Sequence, residues 1–455
     1  MSNLTQKHTK ITTFYLLTKS NPKLRPELRL HSKWKKAVLV IPLLASEFTD
    51  AGNRPVFENI LKKLRSASYL SRIILGLDQA DASDVRELAR LLNKHGFKNC
   101  LIQHNDGPGF SAIYDKLSDA GFNLNVAGKG RNMFLSFGIA MALGARSVGL
   151  IDADIRTFRR VQLDRLFYPV QVLNYQFSKA FYARLKDGQM YGRVKRLLLD
   201  PLLIALKRKF TETKEEKILR LIDFLITFNY QLSGEVVFDT SLLRRMHFAM
   251  HWGVEVFTLI EVYRKATNIA QVEICDGPFD HKHQYLSRSD KNKGLHKMVV
   301  DIVTTLLSAL VIEEGLEISD HFVRDLTVTY LDVADNLIKM YGDNAAFSGL
   351  DYEADAEEEL VHGIVKDAIL YAGDLLVSPY RLAERFSAFV GSHEAFESYV
   401  ASGLLKAISE SARKSRDRLF ETPHTVSWER VERKLPDIMY DIIDVVEKEK
   451  GLYAG

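Results

Sequence analysis

The sequence is poor in cysteine, with two in 455 residues, Cys100 and Cys275, standing far apart. A disulfide framework is thereby excluded, and the spacing suits neither a zinc site nor a redox motif. Buried thiols in a reducing compartment are expected. An excess of charge is also lacking: 62 Lys and Arg face 58 Asp and Glu, leaving a formal +4. Composition therefore offers no electrostatic case for nucleic acid, and any basic site has to be local. Long hydrophobic runs are missing as well. The longest apolar stretch, Met298 to Ile312, is interrupted by Asp301, Thr304, Thr305 and Ser308 and falls short of the roughly 20 residues of a membrane span. Behind a polar start, the apolar island Phe14 to Leu17 is too short for a secretory signal. A soluble, cytoplasmic protein without signal peptide or membrane span is expected.

What is present is ordinary globular composition, 46% hydrophobic and 26% charged, on a chain long enough for two cores. Residues 1–35 are basic and weakly patterned, and read as an N-terminal arm. From there short β-rich runs alternate with helical patterns. Ala37 to Ile41, Arg72 to Leu77, Asn99 to Gln103 and Ser147 to Ile151 suit strands, while Phe57 to Leu70 and Ser83 to His95 suit helices. This order implies an α/β domain over 36–310 with a mostly parallel sheet, whose ligands gather beyond the carboxyl ends of its strands. Beyond it, Phe322, Leu326, Tyr330, Val333, Leu337 and Met340 recur at helical spacing up to Gly342, which reads as a C-terminal stop. Residues 311–455 are thus expected to form a helical domain.

Polar residues just after the strands carry most weight: Glu47, then Asp78 and Gln79, then Asn105 and Asp106, then Asp152 and Asp154. Asp152 and Asp154 lie two apart after an apolar strand, so both side chains point the same way, toward the ligand edge. Alone, such a pair more often caps a helix or starts a turn. Carboxylates so placed can also hold a hard divalent cation, which commonly shares its shell with substrate phosphates. Gly128-Lys129-Gly130-Arg131 opens the preceding helix, where backbone N–H groups and two cations could meet an anion, although a solvated loop is an equal reading. Asp280-His281-Lys282-His283 follows a β-like run, Gln271 to Cys275, and one imidazole could complete a metal shell, although the motif alone favours a surface loop. Trp252-Gly253-Val254-Glu255 begins a helical pattern and Ser233-Gly234-Glu235 sits in a break, neither informative alone because a Glu at a helix start usually just suits the dipole. Gly192-Arg193-Val194-Lys195-Arg196 is a compact basic cluster suited to a phosphate, with a solvated helix face an equal reading.

Taken in order with Pro42-Leu-Leu-x-x-Glu47 and Asp78, these motifs resemble glucosyl-3-phosphoglycerate synthases and, more distantly, mannosylglycerate synthases, over about residues 36–310. The resemblance implies a GT-A fold and retaining transfer of glucose from UDP-glucose or GDP-glucose to D-3-phosphoglycerate, on the way to a glucosylglycerate compatible solute. It further implies that Pro42, Leu44, Glu47, Asp78, Gln79, Lys129 and Asp152 bind the nucleotide sugar, and that Asp154 with His281 or His283 ligates Mg²⁺ or Mn²⁺. By the same match, Asp152 and Glu255 serve the reacting sugar, and Gly192, Arg193 and Lys195 bind the acceptor. Two positions depart from the family pattern: Ser233 replaces a glycine, and Lys195 stands where a threonine is usual. Mannosyl transfer from GDP-mannose, a metal phosphohydrolase or nucleotidyltransferase, and a nucleotide-sugar sensor are the competing readings. The amphipathic C-terminal helices are expected to stabilise a homodimer or to close over the acceptor site.

Overall fold

The computed structural model describes residues 6–18, 20–122, 124, 128–281, 294–377 and 426–452. Its strands are β1 (Ile11–Phe14), β2 (Ala37–Leu44), β3 (Leu70–Asp78), β4 (Cys100–His104), β5 (Ser147–Leu150), β6 (Phe177–Phe181), a small hairpin β7 (Leu185–Lys186) and β8 (Gln189–Met190), β9 (Val236–Asp239) and β10 (Ile269–Glu273). Eight of them form one sheet in the order β1-β10-β6-β9-β5-β2-β3-β4. All neighbours are parallel except β9, which runs antiparallel to β5 and β6. Strands covered on both faces need apolar side chains at nearly every position. Val38 through Ile41 and Ile73 through Leu75 are accordingly buried.

The four expected strands are all present, in one parallel block. Register pairs Leu44 with Asp78, Leu77 with His104 and Val40 with Leu150, so their carboxyl ends share one edge. The helix expected over Phe57 to Leu70 instead spans Arg54–Leu64. Pro55 favours its first turn, and the chain from Leu70 is taken by β3.

Two expectations about organisation are corrected. Residues 1–35 are not merely an arm: Ile11–Phe14 pairs with β10 as an edge strand of the sheet, and Leu24–His31 is a helix with buried Leu24 and Leu28. The long C-terminal helix does not stop at Gly342. It runs from Asp320 to Ser348 and ends at Gly349, where φ is +67°, a left-handed conformation that favours glycine. The interrupted apolar stretch Met298 to Ile312 lies within a longer helix, Gly294–Glu314. Its Gly294–Val311 window meets the length and composition of a membrane span, yet 78% of it is buried inside the protein.

The linear division at 310 also differs from the compact units. One comprises Met1–Gly192, Phe224–His283 and Thr425–Gly455; the other comprises Arg193–Asp223 and Gln284–His424. The last two described helices, Trp428–Lys434 and Ile438–Leu452, belong with the sheet. Trp428 explains why. It stacks on Phe134 at 4.6 Å, its Nε1 donates to the Phe134 carbonyl at 2.9 Å, and a Cβ on Gly138 would lie 2.1 Å from its ring.

Candidate active site

The shared strand edge gathers the charged residues that the sequence singled out. Asp152 and Asp154 follow β5, and Lys129 starts the helix Lys129–Ala142. That helix begins against backbone: a Cβ on Gly130 would lie 2.2 Å from the Ala249 carbonyl oxygen, so only glycine permits the approach. Glu255 sits in the first turn of Val254–Lys265, which follows the same stretch of chain. The result is a bridge. The Lys129 Nζ lies 2.8 Å from Asp152 Oδ1 and 3.1 Å from Glu255 Oε1.

Electrostatics divide the carboxylates into two kinds. Burial would depress the Lys129 ammonium, but Asp152 and Glu255 outweigh it and raise its pKa. Asp152 is held below the ordinary carboxylate range, because Lys129 overcomes the effect of burial. For Asp154, burial first, then the charges of Asp152 and Glu47, push it up to about 7, with Lys129 countering only in part. Among the described residues its Oδ1 is buried without a hydrogen-bond partner. Glu235, behind Gly234, is likewise pushed up to about 7 by burial and by Asp152, and its Oε1 is also without a partner.

A buried carboxylate oxygen with nothing to bond is costly unless a cation or proton completes it. His281 Nδ1 stands 4.0 Å from that Asp154 oxygen. It is held there by the Ile155–His281 bridge and by the Arg156 N–H donating to the Asp280 carbonyl at 2.8 Å. Among the described residues no group of three His, Cys, Asp or Glu could enclose a metal. An oxygen and an imidazole nitrogen so placed could serve a hard divalent cation only with further ligands from outside the chain, as Mg²⁺ commonly accepts. His283 lies outside the described residues.

At the other end of the edge, Asp78 closes β3 and is buried. It accepts from Asn105 Nδ2 at 2.7 Å and faces Arg131 Nη2 at 3.4 Å, while Arg131 lies over the Tyr114 ring at 4.5 Å. Burial raises the Asp78 pKa despite Asn105 and Arg131. Pro42 and Leu44 lie at the end of β2, Leu44 being exposed, and Glu47 is buried in the short helix Ser46–Thr49. Gln79 is exposed, with φ at +53°.

The basic cluster at 192–196 is cut by the boundary between the two compact units. Gly192 closes a segment of the sheet unit with φ at +84°, whereas Arg193 and Lys195 belong to the other unit. Arg193 precedes a π-helix, Val194–Leu199, and is exposed. Lys195 is paired with Asp200, so its ammonium already has a counter-ion. Two charged residues near the site went unassigned in the sequence: Glu235, noted only as part of a motif, and Lys179. A lysine amid Phe177-Ser-Lys-Ala-Phe181 was the visible signal for the latter, since charge inside a covered strand is expensive.

The chain is 34% identical over 397 residues to a glucosyl-3-phosphoglycerate synthase of Persephonella marina, covering 86% of this chain and 94% of that one. It is 32% identical over 349 residues to a glucosyl-3-phosphoglycerate synthase of Methanococcoides burtonii, covering 75% and 82%. No family model matches. Among solved structures, glucosyl-3-phosphoglycerate synthase of Mycobacterium tuberculosis, in complex with Mn²⁺, UDP and glucosyl-3-phosphoglycerate, aligns at TM-score 0.46 and 19% identity over 68% of this chain and 89% of that one. Mannosyl-3-phosphoglycerate synthase of Rubrobacter xylanophilus aligns at TM-score 0.47 and 19% identity over 67% and 82%.

Proposed function

The chain belongs to the glucosyl-3-phosphoglycerate synthase family, and on that premise we propose that it moves glucose from UDP-glucose to D-3-phosphoglycerate with retention at the anomeric carbon. The observation that carries this reading is the Lys129 bridge to Asp152 and Glu255 beside the unpartnered oxygen of Asp154. It combines a fixed cation, two oriented carboxylates and an open ligand position at one strand edge.

Each residue then has a role. Pro42, Leu44, Glu47, Asp78 and Gln79 hold the nucleotide. Asp154 and His281, with His283 as the alternative imidazole, hold Mg²⁺ or Mn²⁺. The bound cation supplies Lewis-acid stabilisation of the departing diphosphate. Lys129 adds a preorganised positive charge to the same oxygens, at an atom already fixed by two carboxylates. Asp152 and Glu255 orient the sugar and acceptor. The acceptor hydroxyl bonds to the anomeric carbon on the face from which UDP leaves, and its proton goes to the departing diphosphate. Gly192 and Arg193 match the acceptor contacts of the family, with Arg193 suited to a phosphate by its planar fork of donors. Lys195, two residues on, shares its charge with Asp200.

A homodimer acting in the cytoplasm completes the proposal, supported by Phe347, 93% exposed on the long helix, and by two unpaired cysteines. Light scattering tests the assembly. The activity is tested by offering UDP-glucose, GDP-glucose or GDP-mannose with Mg²⁺ and either D-3-phosphoglycerate or D-glycerate, and following products by mass. Glucosyl-3-phosphoglycerate from UDP-glucose is the expected product. Turnover confined to GDP-mannose or to glycerate would overturn the donor or the acceptor assignment, respectively.

A further inference from the structure

We propose that Lys179 is a positioning residue for the transferred sugar, acting through the Ser233–Glu235 segment on Asp152. Lys179 lies at the centre of β6, between β10 and β9, and is 1% exposed. A buried ammonium costs several kcal/mol unless it is bonded, and an apolar residue of similar volume is often as stable or more so. Packing alone therefore gives no reason for a lysine at this position.

A bond at its far end supplies a reason: Nζ donates to the Ser233 carbonyl at 2.7 Å. Two further bonds tie the same segment to the end of β6, from Ser233 Oγ to the Ala180 carbonyl at 2.7 Å and from the Ala180 N–H to the Glu235 carbonyl at 3.0 Å. Between them lies Gly234. A Cβ there would fall 2.6 Å from Asp152 Oδ2 and 2.9 Å from Oδ1, so the Asp152 carboxylate rests against the bare backbone of this segment. Glu235 extends the scaffold, accepting from the Tyr182 hydroxyl at 2.7 Å. Burial brings the Lys179 pKa down to about 8, while Glu255 and Glu235 counter that effect, so the same carboxylates that border the site support its charge.

A charge-assisted bond to the Ser233 carbonyl fixes Gly234, and Gly234 sets where the Asp152 carboxylate can lie. Asp152 already has its cation in Lys129, so Lys179 acts on its position. Displacements of about 1 Å at a reacting centre cost on the order of 100-fold in rate.

The inference rests on the glucosyl-transfer reading, and the test separates the two. Lys179→Met is expected to melt no lower than the parent, to bind UDP with Mg²⁺ within about threefold of it, and to lose at least tenfold in kcat. Gly234→Ala is expected to show the same loss, and the double variant no more than either single one, because both act on one contact. A lowered melting temperature with a parallel loss of activity would make Lys179 a fold element and overturn the inference, as would unchanged kcat or additive losses. Should the parent show no transfer, the functional reading fails on its own, and calorimetry with UDP and UDP-glucose decides the inference. Lys179→Met must then reduce the affinity that the glucose adds to UDP, and an unchanged increment refutes the role.

Discussion

Replacing Lys129 by methionine keeps the length of the side chain and removes the charge that holds two carboxylates. The ammonium lies 2.8 Å from Asp152 and 3.1 Å from Glu255, with side chains 23%, 23% and 16% exposed for Lys129, Asp152 and Glu255. Removing one partner of a buried pair costs about 3–5 kcal/mol, because it strands the other charge. Methionine recovers part of this by no longer desolvating an ammonium, so a loss of about 3 kcal/mol at pH 8 is expected. The sign of its pH dependence follows from Asp152, whose pKa is lowered by Lys129 against the opposing effect of burial. Without the cation, burial and the neighbouring carboxylates raise it. A carboxylate whose folded pKa lies above its unfolded value stabilises at low pH, and that contribution is lost as pH rises through the folded pKa. The deficit of the variant should therefore shrink as pH falls from 8 to 5. Urea unfolding of parent and variant at pH 8, 7, 6 and 5 measures it. A difference below about 1 kcal/mol at pH 8, or one that stays flat with pH, would show that Lys129 does not hold these carboxylates, since unpaired burial must cost more than a surface pair.

Asp154 and Glu235, both pushed up to about 7, have folded values above their unfolded ones. The metal-free protein should therefore lose thermal stability as pH climbs from about 4 through 7, and saturating Mg²⁺ with UDP should flatten that decline in melting scans. Asp154→Ala should abolish metal-dependent transfer, so that titrating Mn²⁺ into the variant restores nothing in the mass-resolved assay. Glu357→Gln removes the charge facing Arg196, which it meets through two bonds of 2.6 and 2.8 Å with both residues buried. A cost on the order of 3 kcal/mol is expected from chemical denaturation. In Gly138→Ala the new methyl meets the Trp428 ring at 2.1 Å. Overpacking of about 1–3 kcal/mol should follow, with faster hydrogen exchange over residues 428–452.

Much of the site was legible because the relevant physics is local. Alternation and strand length placed Asp152 and Asp154 after β5 and Asp78 after β3, and a parallel sheet puts such positions at its ligand edge. The glycines around Lys129 marked a helix start, and the helix does begin at Lys129, with Gly130 close against the Ala249 carbonyl. Lys195 could not be read the same way: the resemblance placed it at the acceptor, and only folding supplied Asp200 as its partner.

The sequence by itself determined the α/β class, the order of the first strands and the residue types brought to their ends, since these follow from periodicity and chain direction. Tertiary structure decided what no local pattern encodes. Ile11–Phe14 joins the sheet by pairing with a strand some 258 residues away, as the register of Ile11 with Ile269 requires. Trp428 returns the chain's end to Phe134. Lys129 finds Glu255 across 126 positions, and Lys179 reaches Ser233 across 54. Such pairs depend on which surfaces the completed sheet and its helices bring together. A buried charge finds its partner only after that packing has removed the water that would otherwise solvate it.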